Sequence, residues 1–327
     1  MSTVLNGHEQ DGLVVGARLG GHVAEMQRRR MLNATVEMLA ERGAQSMSIA
    51  ALSQRAGVSR KTFYEVFADR EACLCAAFEE TVLRIERDVS SAVANERKWL
   101  SRTRAGLAAL LSHLDREPAC ARLVVVEALG AGEPTLEARR GVLDRLIAIV
   151  DEGRGEAKRE PPPLTAEGVV GAVFSVVHAR VLDRDPRPLG ELLGPLMAMI
   201  VQPYLGAAAA QREIDAQAHA SISETAPPTR AVRVSRAMAD PFKDLPMRLT
   251  YRTALVLSSI AESPGASSKQ VAAAAGVPDQ GQMSRLLARL RRFDLIENRG
   301  GQPTRGEAMA WTLTAKGREL LRAVTEA

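Results

Sequence analysis

The sequence predicts a mainly all-α chain that ends in a small unit carrying a β-hairpin. Three observations predict it. Apolar residues recur at three- and four-residue intervals along most of the 327 residues, and strand-like runs are confined to LIENRG and MAWTLT near the C-terminus. The helical runs are separated by Pro, Gly or charged clusters. The tripeptide Ala-Gly-Val occurs at 56–58 and again at 275–277, each time between two helical runs. A chain of this length has room for two or three domains with proper cores.

Residues 1–23 are polar and Gly-rich and predict a flexible arm. Arg18 and the Arg28-Arg29-Arg30 run are basic enough for such an arm to reach a minor groove. A helix follows at 27–43, QRRRMLNATVEMLAERG. Residues 48–71, SIAALSQRAGVSRKTFYEVFADRE, then predict two short helices joined by a tight turn. Ser48 is placed to cap the first, whose apolar face is Ile49, Leu52 and Ala56. Gly57 supplies a left-handed turn and Val58 plugs the angle. Ser59 caps the second helix, with Phe63 and Phe67 inward and Arg60, Lys61, Thr62 and Tyr64 outward. Two cations in a first turn oppose the helix dipole by a few tenths of a kcal/mol, so stability alone would place Asp or Glu there. A phosphate backbone reverses that preference. This is a helix-turn-helix whose second helix is built to meet DNA.

The helix at 27–43 and the stretch AGVSRKTFYEVFADRE together resemble the N-terminal DNA-binding domain of TetR/AcrR-type regulators. The resemblance in motif covers about residues 24–80, with the DNA-binding domain itself at 24–70. It implies that Tyr64 and Arg70 hold phosphates, and that Arg60, Lys61 and Thr62 approach the major groove beside Ser48 and Ser59. The chain departs from the family pattern at Leu52-Ser53, where Ile-Ala is common, and at Lys61, where Gly is frequent. Arg70 replaces a frequent Lys and keeps the cation.

From 71 to 220 the pattern is helical throughout, in segments near 70–98, 101–116, 118–130, 135–154, 165–183 and 189–219. The segment at 165–183 carries Gly168, Ala172, Ser175 and Ala179 along one side, small enough for another helix to approach closely. Leu189, Leu192, Leu193, Leu196, Ile200 and Tyr204 follow at helical spacing, with Pro195 and Pro203 expected to start, kink or interrupt that run. The resemblance implies that these last two segments pair with a second copy as a homodimer. It also implies a pocket for a small-molecule effector of unknown identity, for which Trp99, His113, Phe174 and His178 are candidates. His113 and His178 have no partner spaced for catalysis, and the chain has no Gly-rich phosphate loop, HExxH or GxSxG. Neither an enzyme nor a metal site is expected, and no cofactor. Cys73, Cys75 and Cys120 are too sparse for a disulfide framework, which fits a reducing cytoplasm, where a DNA-binding chain is expected to be nucleoid-associated. The sequence shows no charged-then-apolar signal peptide pattern, and the apolar run VVGAVFSVV at 169–177 is too short to span a bilayer, so no membrane partner is expected.

Residues 221–245 mix Ser, Thr, Pro and charge and predict a linker. A flexible chain of that length spans about 25–30 Å, close to one DNA turn of about 34 Å. The unit at 246–327 follows in the order helix (247–262), helix (from Ser267-Ser268), helix (279–293), hairpin, helix. That order is the order of a winged helix, and it resembles MarR-type domains. Its third helix turns Met283, Leu286, Leu287 and Leu290 inward and leaves Gln280, Gln282, Ser284, Arg285 and Arg289 outside; Gln and Arg bond bidentately to base edges. Ser268 lies at the start of the second helix, and Arg299, Gln302, Thr304 and Arg305 lie at the wing.

Charge supports two DNA readers. Residues 1–70 hold 9 basic against 7 acidic side chains, residues 71–245 hold 22 against 25, and residues 246–327 hold 12 against 7. The whole reads as a ligand-responsive regulator that binds double-stranded operator DNA as a homodimer, and the resemblance favours a repressor over an activator. Two alternatives stay open: a sequence-tolerant DNA organiser, and a regulator whose winged helix binds protein.

Overall fold

A computed structural model of the chain describes residues 6–44, 47–183, 187–223, 250–299 and 310–325. Its described residues are mainly helical. In chain order the helices are α1 (Asn6–Arg42), α2 (Ile49–Ala56), α3 (Arg60–Val66), α4 (Arg70–Val93), α5 (Trp99–Arg116), α6 (Pro118–Val125), α7 (Glu133–Asp151), α8 (Thr165–Leu182), α9 (Leu193–Leu205), α10 (Ala207–Ser223), α11 (Tyr251–Glu262), α12 (Ser268–Ala274), α13 (Gln280–Arg292) and α14 (Ala315–Thr325). Strands β1 (Ile296–Asn298) and β2 (Trp311–Leu313) stand between α13 and α14. The chain divides into two compact units: Met1–Met31, Ser53–Val66 and Arg233–Ala327 in one, Leu32–Leu52 and Phe67–Val232 in the other.

In the second of these units α4 runs along α5, α7 along α8, and α9 along α10. Leu74, Leu111, Leu123, Leu196 and Met197 are fully buried in it. Asp69 caps α4, its Oδ1 accepting the Ala72 N–H at 2.8 Å. The carbonyl end of α6 passes into a short 3₁₀ turn at Glu127–Gly130, where one helix was expected over 118–130. The expected helix over 189–219 is broken, and the break falls at Gly206 (φ +84°); Pro203 lies inside the last turn of α9 without ending it. Close packing of α9 on α10 depends on Gly194, where a Cβ would lie 2.9 Å from the Glu213 carbonyl oxygen. Glu213 is itself buried and paired with Arg104 of α5.

A polar clamp joins α4 to α5. The buried His113 bonds through Nδ1 to Asp88 Oδ2 at 2.7 Å, and Arg116 Nη2 reaches the same oxygen at 2.8 Å. The bond to His113, reinforced by the charges of His113 and Arg116, holds the Asp88 carboxyl below the usual carboxylate range.

α8 corrects an expectation. The apolar run VVGAVFSVV lies inside the 18-residue helix Thr165–Leu182, whose flanking positions include Ala166, Gly168, Ala179, Val181 and Leu182 as well as Glu167, His178 and Arg180. With a mean hydropathy of 1.3, α8 is the one described helix long and apolar enough to cross a membrane, and only 17% of it is buried within the chain.

The other unit contains the C-terminal helices. Thr250 caps α11, accepting the Thr253 N–H, and Ser267 forms a capping box with Gln270 at the start of α12. β1 and β2 pair antiparallel with Ile296 opposite Leu313 and Asn298 opposite Trp311. Trp311 extends this sheet to the loop before α12, donating to Ala266 O at 3.1 Å and accepting from Gly265 N–H at 2.8 Å. Leu257, Ile260, Val271, Leu287, Leu290 and Ile296 form the core. Val23 and Met26 of α1 are buried in that same core.

The arm predicted at 1–23 is therefore corrected, since α1 is helical from Asn6. Nucleation is the costly step of helix formation, and once residues 27–43 supply the nucleus each added residue costs little. Burial of Val23 and Met26, about 1.5–3 kcal/mol each, offsets much of the roughly 1 kcal/mol that each of Gly7, Gly12, Gly16, Gly20 and Gly21 costs in the helix. The predicted linker beyond Ser223, the start of the helix predicted from 247, and the wing loop with Gln302, Thr304 and Arg305 lie outside the described residues.

Two outcomes are expected of stability measurements. At Gly317 in α14 a Cβ would fall 2.0 Å from the Leu295 carbonyl oxygen. Gly317→Ala should therefore destabilise the C-terminal unit by about 3 kcal/mol, read as a lowered urea midpoint of Trp311 fluorescence. Asp88 has a depressed folded pKa, so its contribution is complete above about pH 4 and is lost as pH falls through the folded value. Asp88→Asn should flatten the acid limb of a plot of urea midpoint against pH, with little change in its shape near pH 7.

Candidate functional site

The helix-turn-helix is built by caps and one turn. Ser48 Oγ accepts the Ala51 N–H at 3.2 Å and starts α2. At the other end Val58 N–H bonds back to Ser53 O at 3.0 Å and Gly57 N–H to Gln54 O at 3.2 Å, the paired bonds of a Schellman motif. Gly57 takes φ +65°, which a side chain would strain, and a Cβ there would also meet Arg30 Nη2 at 3.0 Å. Ser59 then caps α3, accepting the Thr62 N–H at 3.0 Å and pairing with Thr62 Oγ1 at 2.9 Å. These bonds occupy Ser59 and half of Thr62, so the residues left to meet a ligand are Arg60, Lys61 and Tyr64.

All three are exposed. Phe63 is buried beneath them, and the Tyr64 ring stands edge-on to it with centroids 5.5 Å apart, which leaves Tyr64 58% exposed. Lys61 has a loose contact with Glu65 at 3.8 Å, an exposed pair worth little and readily given up. The first turn of α3 has no acidic residue. Arg70 is placed differently from the expectation. It is half-buried, and its Nη1 donates to Ala44 O at 2.9 Å, so it closes the C-terminal end of α1 against α4.

The C-terminal unit repeats the arrangement. Val277 N–H bonds to Ala272 O at 2.9 Å and Gly276 N–H to Ala273 O at 3.2 Å, with Gly276 at φ +61°. Asp279 caps α13, accepting the Gln282 N–H at 3.0 Å. Met283, Leu286, Leu287 and Leu290 are buried, and Gln280, Gln282, Ser284, Arg285 and Arg289 are exposed opposite them, as predicted from spacing. Arg291 and Arg292 extend the basic face into the last turn, where cations also suit the helix dipole. Two predicted contacts are already engaged: Arg252 Nη1 donates to Gln282 Oε1 at 2.9 Å, and Ser268 Oγ accepts the Trp311 indole N–H at 2.9 Å. Ser268 is thus part of the packing around Trp311. Arg299 leans on Glu297 at 3.0 Å, and Arg305 lies outside the described residues.

The four effector candidates separate. Trp99 is buried, donates its indole N–H to Ile149 O at 2.9 Å and stands 5.3 Å from Tyr204, edge to face. Gly153 is pressed against it so closely that a Cβ would lie 2.6 Å from the ring. Trp99 is a packing residue, and His113 belongs to the Asp88 clamp. Phe174 and His178 do come together. They line an open cleft of about 340 Å³ between α7 and α8, whose walls are largely apolar. Sequence reasoning missed Arg139, whose guanidinium lies 5.0 Å above the Phe174 ring. Its signal was available in the four-residue spacing of Arg139, Leu143 and Ile147, which puts the cation on an apolar face of α7. No cluster of metal-ligating side chains is found among the described residues.

Known proteins bear on one part of this chain. Residues 31–77 match the family model described as bacterial regulatory proteins, tetR family. No curated protein matches the chain. Among solved structures, the fatty acid degradation regulator FadR from Bacillus halodurans is 20% identical with a TM-score of 0.48, covering 53% of this chain and 94% of its own. FadR from Bacillus subtilis, solved in complex with stearoyl-CoA, is 21% identical at a TM-score of 0.47, over 53% of this chain and 97% of its own. SmeT, the repressor of the Stenotrophomonas maltophilia multidrug efflux pump SmeDEF, is 19% identical at 0.46, over 54% and 89%. The matched segment begins within α1 and includes α2, α3 and the first turns of α4. Residues 31–77, which include the α2–α3 turn, are thus similar to the tetR family of bacterial regulatory proteins.

Proposed function

We propose that the chain is a ligand-responsive transcriptional regulator, acting as a repressor in the cytoplasm, that binds operator DNA as a homodimer through α3. The carrying observation is the exposed trio Arg60, Lys61 and Tyr64 on a helix whose caps and glycine turn fix its direction, within the segment similar to tetR-family regulators. Cations there are unfavourable for the helix alone, and a phosphate backbone compensates them. Dimerisation is supported by α8, an apolar helix left mostly uncovered by its own chain, with Gly168, Ser175 and Ala179 exposed along one side. A second copy covering that face removes apolar surface from water at roughly 25 cal/mol per Å². Half-sites one or more helical turns apart would then read the spacing of the two α3 helices.

The C-terminal unit serves as a second, winged-helix reader. What supports this is the order of its elements around the β1–β2 hairpin and the four exposed arginines of α13. Because α3 and α13 belong to one compact unit, the operator is expected to be composite and longer than a simple palindrome. The bonds that already hold Gln282 and Ser268 favour a second reading, in which α13 works through charge, on phosphates or on an acidic protein surface.

The test begins with selection of bound sequences from random DNA by the full-length protein. Lys61→Ala combined with Tyr64→Ala should weaken binding to the selected site by roughly 1–3 kcal/mol, ten- to a hundredfold, with the sedimenting species unchanged. Retained affinity would overturn the assignment of α3. Arg285→Ala with Arg289→Ala should reduce the slope of log affinity against log salt by about 2 if α13 lies on DNA; an unchanged slope assigns the C-terminal unit to a protein partner.

A further inference from the structure

Among the described residues of the helical unit, Arg139 is a partly buried cation that the fold leaves unanswered. Among the described residues it forms no ion pair and no hydrogen bond. Its Nε is buried without a partner, and the guanidinium rests on the face of Phe174, 5.0 Å from the ring centre. Burial holds its pKa below the usual arginine value, with no nearby anion raising it. Glu167 lines the same cleft yet does not pair with it. Glu167 precedes Phe174 by seven residues of α8, about 10 Å at 1.5 Å per residue.

Partial desolvation of an unpaired charge is unfavourable, and the contact with the Phe174 ring is the only compensation among the described residues. An aliphatic side chain at position 139 would fill the space against Phe174, Leu143 and Val170 without that cost. The arrangement gains value when an anion enters. The Phe174 ring holds the guanidinium in place beside the cleft, and a guanidinium fork matches the two oxygens of a carboxylate. The remainder of the cleft is apolar, and its volume of about 340 Å³ is within the range of small-molecule sites. Glu167 at the far end disfavours a second negative charge there.

We propose that the α7–α8 cleft binds an apolar monocarboxylate, its carboxylate paired with Arg139 and its apolar body lying along Leu143, Ile147 and Val170 towards Glu167. The binding site is independent of the DNA assignments; its regulatory meaning rests on the reading of the helical unit as a sensor. Gly171 and Ser175, which line the cleft, border the exposed side of α8. A ligand seated there touches the helix proposed to meet the second copy, and can bias the pairing only by binding its two arrangements unequally.

The experiment is a calorimetric titration of the full-length protein with decanoate, a naphthoate, decanol and decylamine. It is run on the wild type, Arg139→Met and Arg139→Lys, with thermal melts to verify that each is folded. Decanoate or the naphthoate should bind the wild type, which also distinguishes a chain from a ring. Both should bind Arg139→Met at least tenfold more weakly, with Arg139→Lys in between because it keeps the charge and loses the fork. Decanol should bind weakly and equally to the wild type and Arg139→Met, and decylamine should not bind. Equal carboxylate affinity in wild type and Arg139→Met, or decanol as tight as decanoate, would overturn the proposal. So would absent carboxylate binding in a dimer that Arg139→Met dissociates, since the charge would then serve the second copy. Mobility shifts on the selected DNA, with and without decanoate, separate the two readings. Arg139-dependent ligand binding with no effect on DNA leaves the site standing and removes the sensor reading. A regulator that binds DNA normally but shows no Arg139-dependent binding loses only the site.

Discussion

The turn that ends a short helix with a left-handed glycine is the constraint on which both candidate DNA readers depend. At Gly57 and at Gly276 the chain uses the same pair of backbone bonds to close one helix and release the next. A valine follows each glycine and is buried, so the angle between the two helices is held by packing as well as by hydrogen bonds. Only then can Ser59 and Asp279 cap helices whose outer faces carry exposed cations. A side chain at either glycine would strain the turn and re-aim the helix that follows. The exposed cations of α3 and α13 acquire meaning from this, because direction turns a basic patch into a reading surface.

The helical unit spends its polar residues differently. Asp88 gathers His113 and Arg116, Glu213 takes Arg104, and Asp115 receives the backbone N–H groups of Leu189 and Gly190 at 2.7 and 3.0 Å. Each of these charges is answered within the unit. Arg139 is not, and α8 beside it leaves an apolar face uncovered. An unanswered cation and an uncovered helix, adjacent on one pair of helices, are costs that a self-contained structural domain would have shed. They fit a unit whose partners arrive from outside the chain.

Residues with strong local rules were legible in advance. Ser48, Gly57, Ser59 and Phe63 do what capping, turn geometry and helical spacing demand, and the inward leucines of α13 are where the period puts them. Residues whose role depends on distant neighbours were not. Trp99 and His113 looked like pocket candidates because aromatic and imidazole side chains suit ligands equally well. Ile149 and Asp88, 50 and 25 residues away, make them structural instead. Ser268 and Arg70 carry donors and acceptors fit for DNA, and partners 43 and 26 residues away engage them first.

The sequence by itself determined the helical class, the two glycine turns, the caps and the basic outer faces, because each of these is decided within about one helical turn of the residues concerned. Only the tertiary structure decided that α1 continues back to Asn6 and buries Val23 and Met26 in the C-terminal core. It alone brought Arg139 onto Phe174. The physical reason is the same in both cases. Burial and desolvation are properties of an environment assembled from segments far apart in the chain, and no local pattern records which of several apolar or charged faces will be covered.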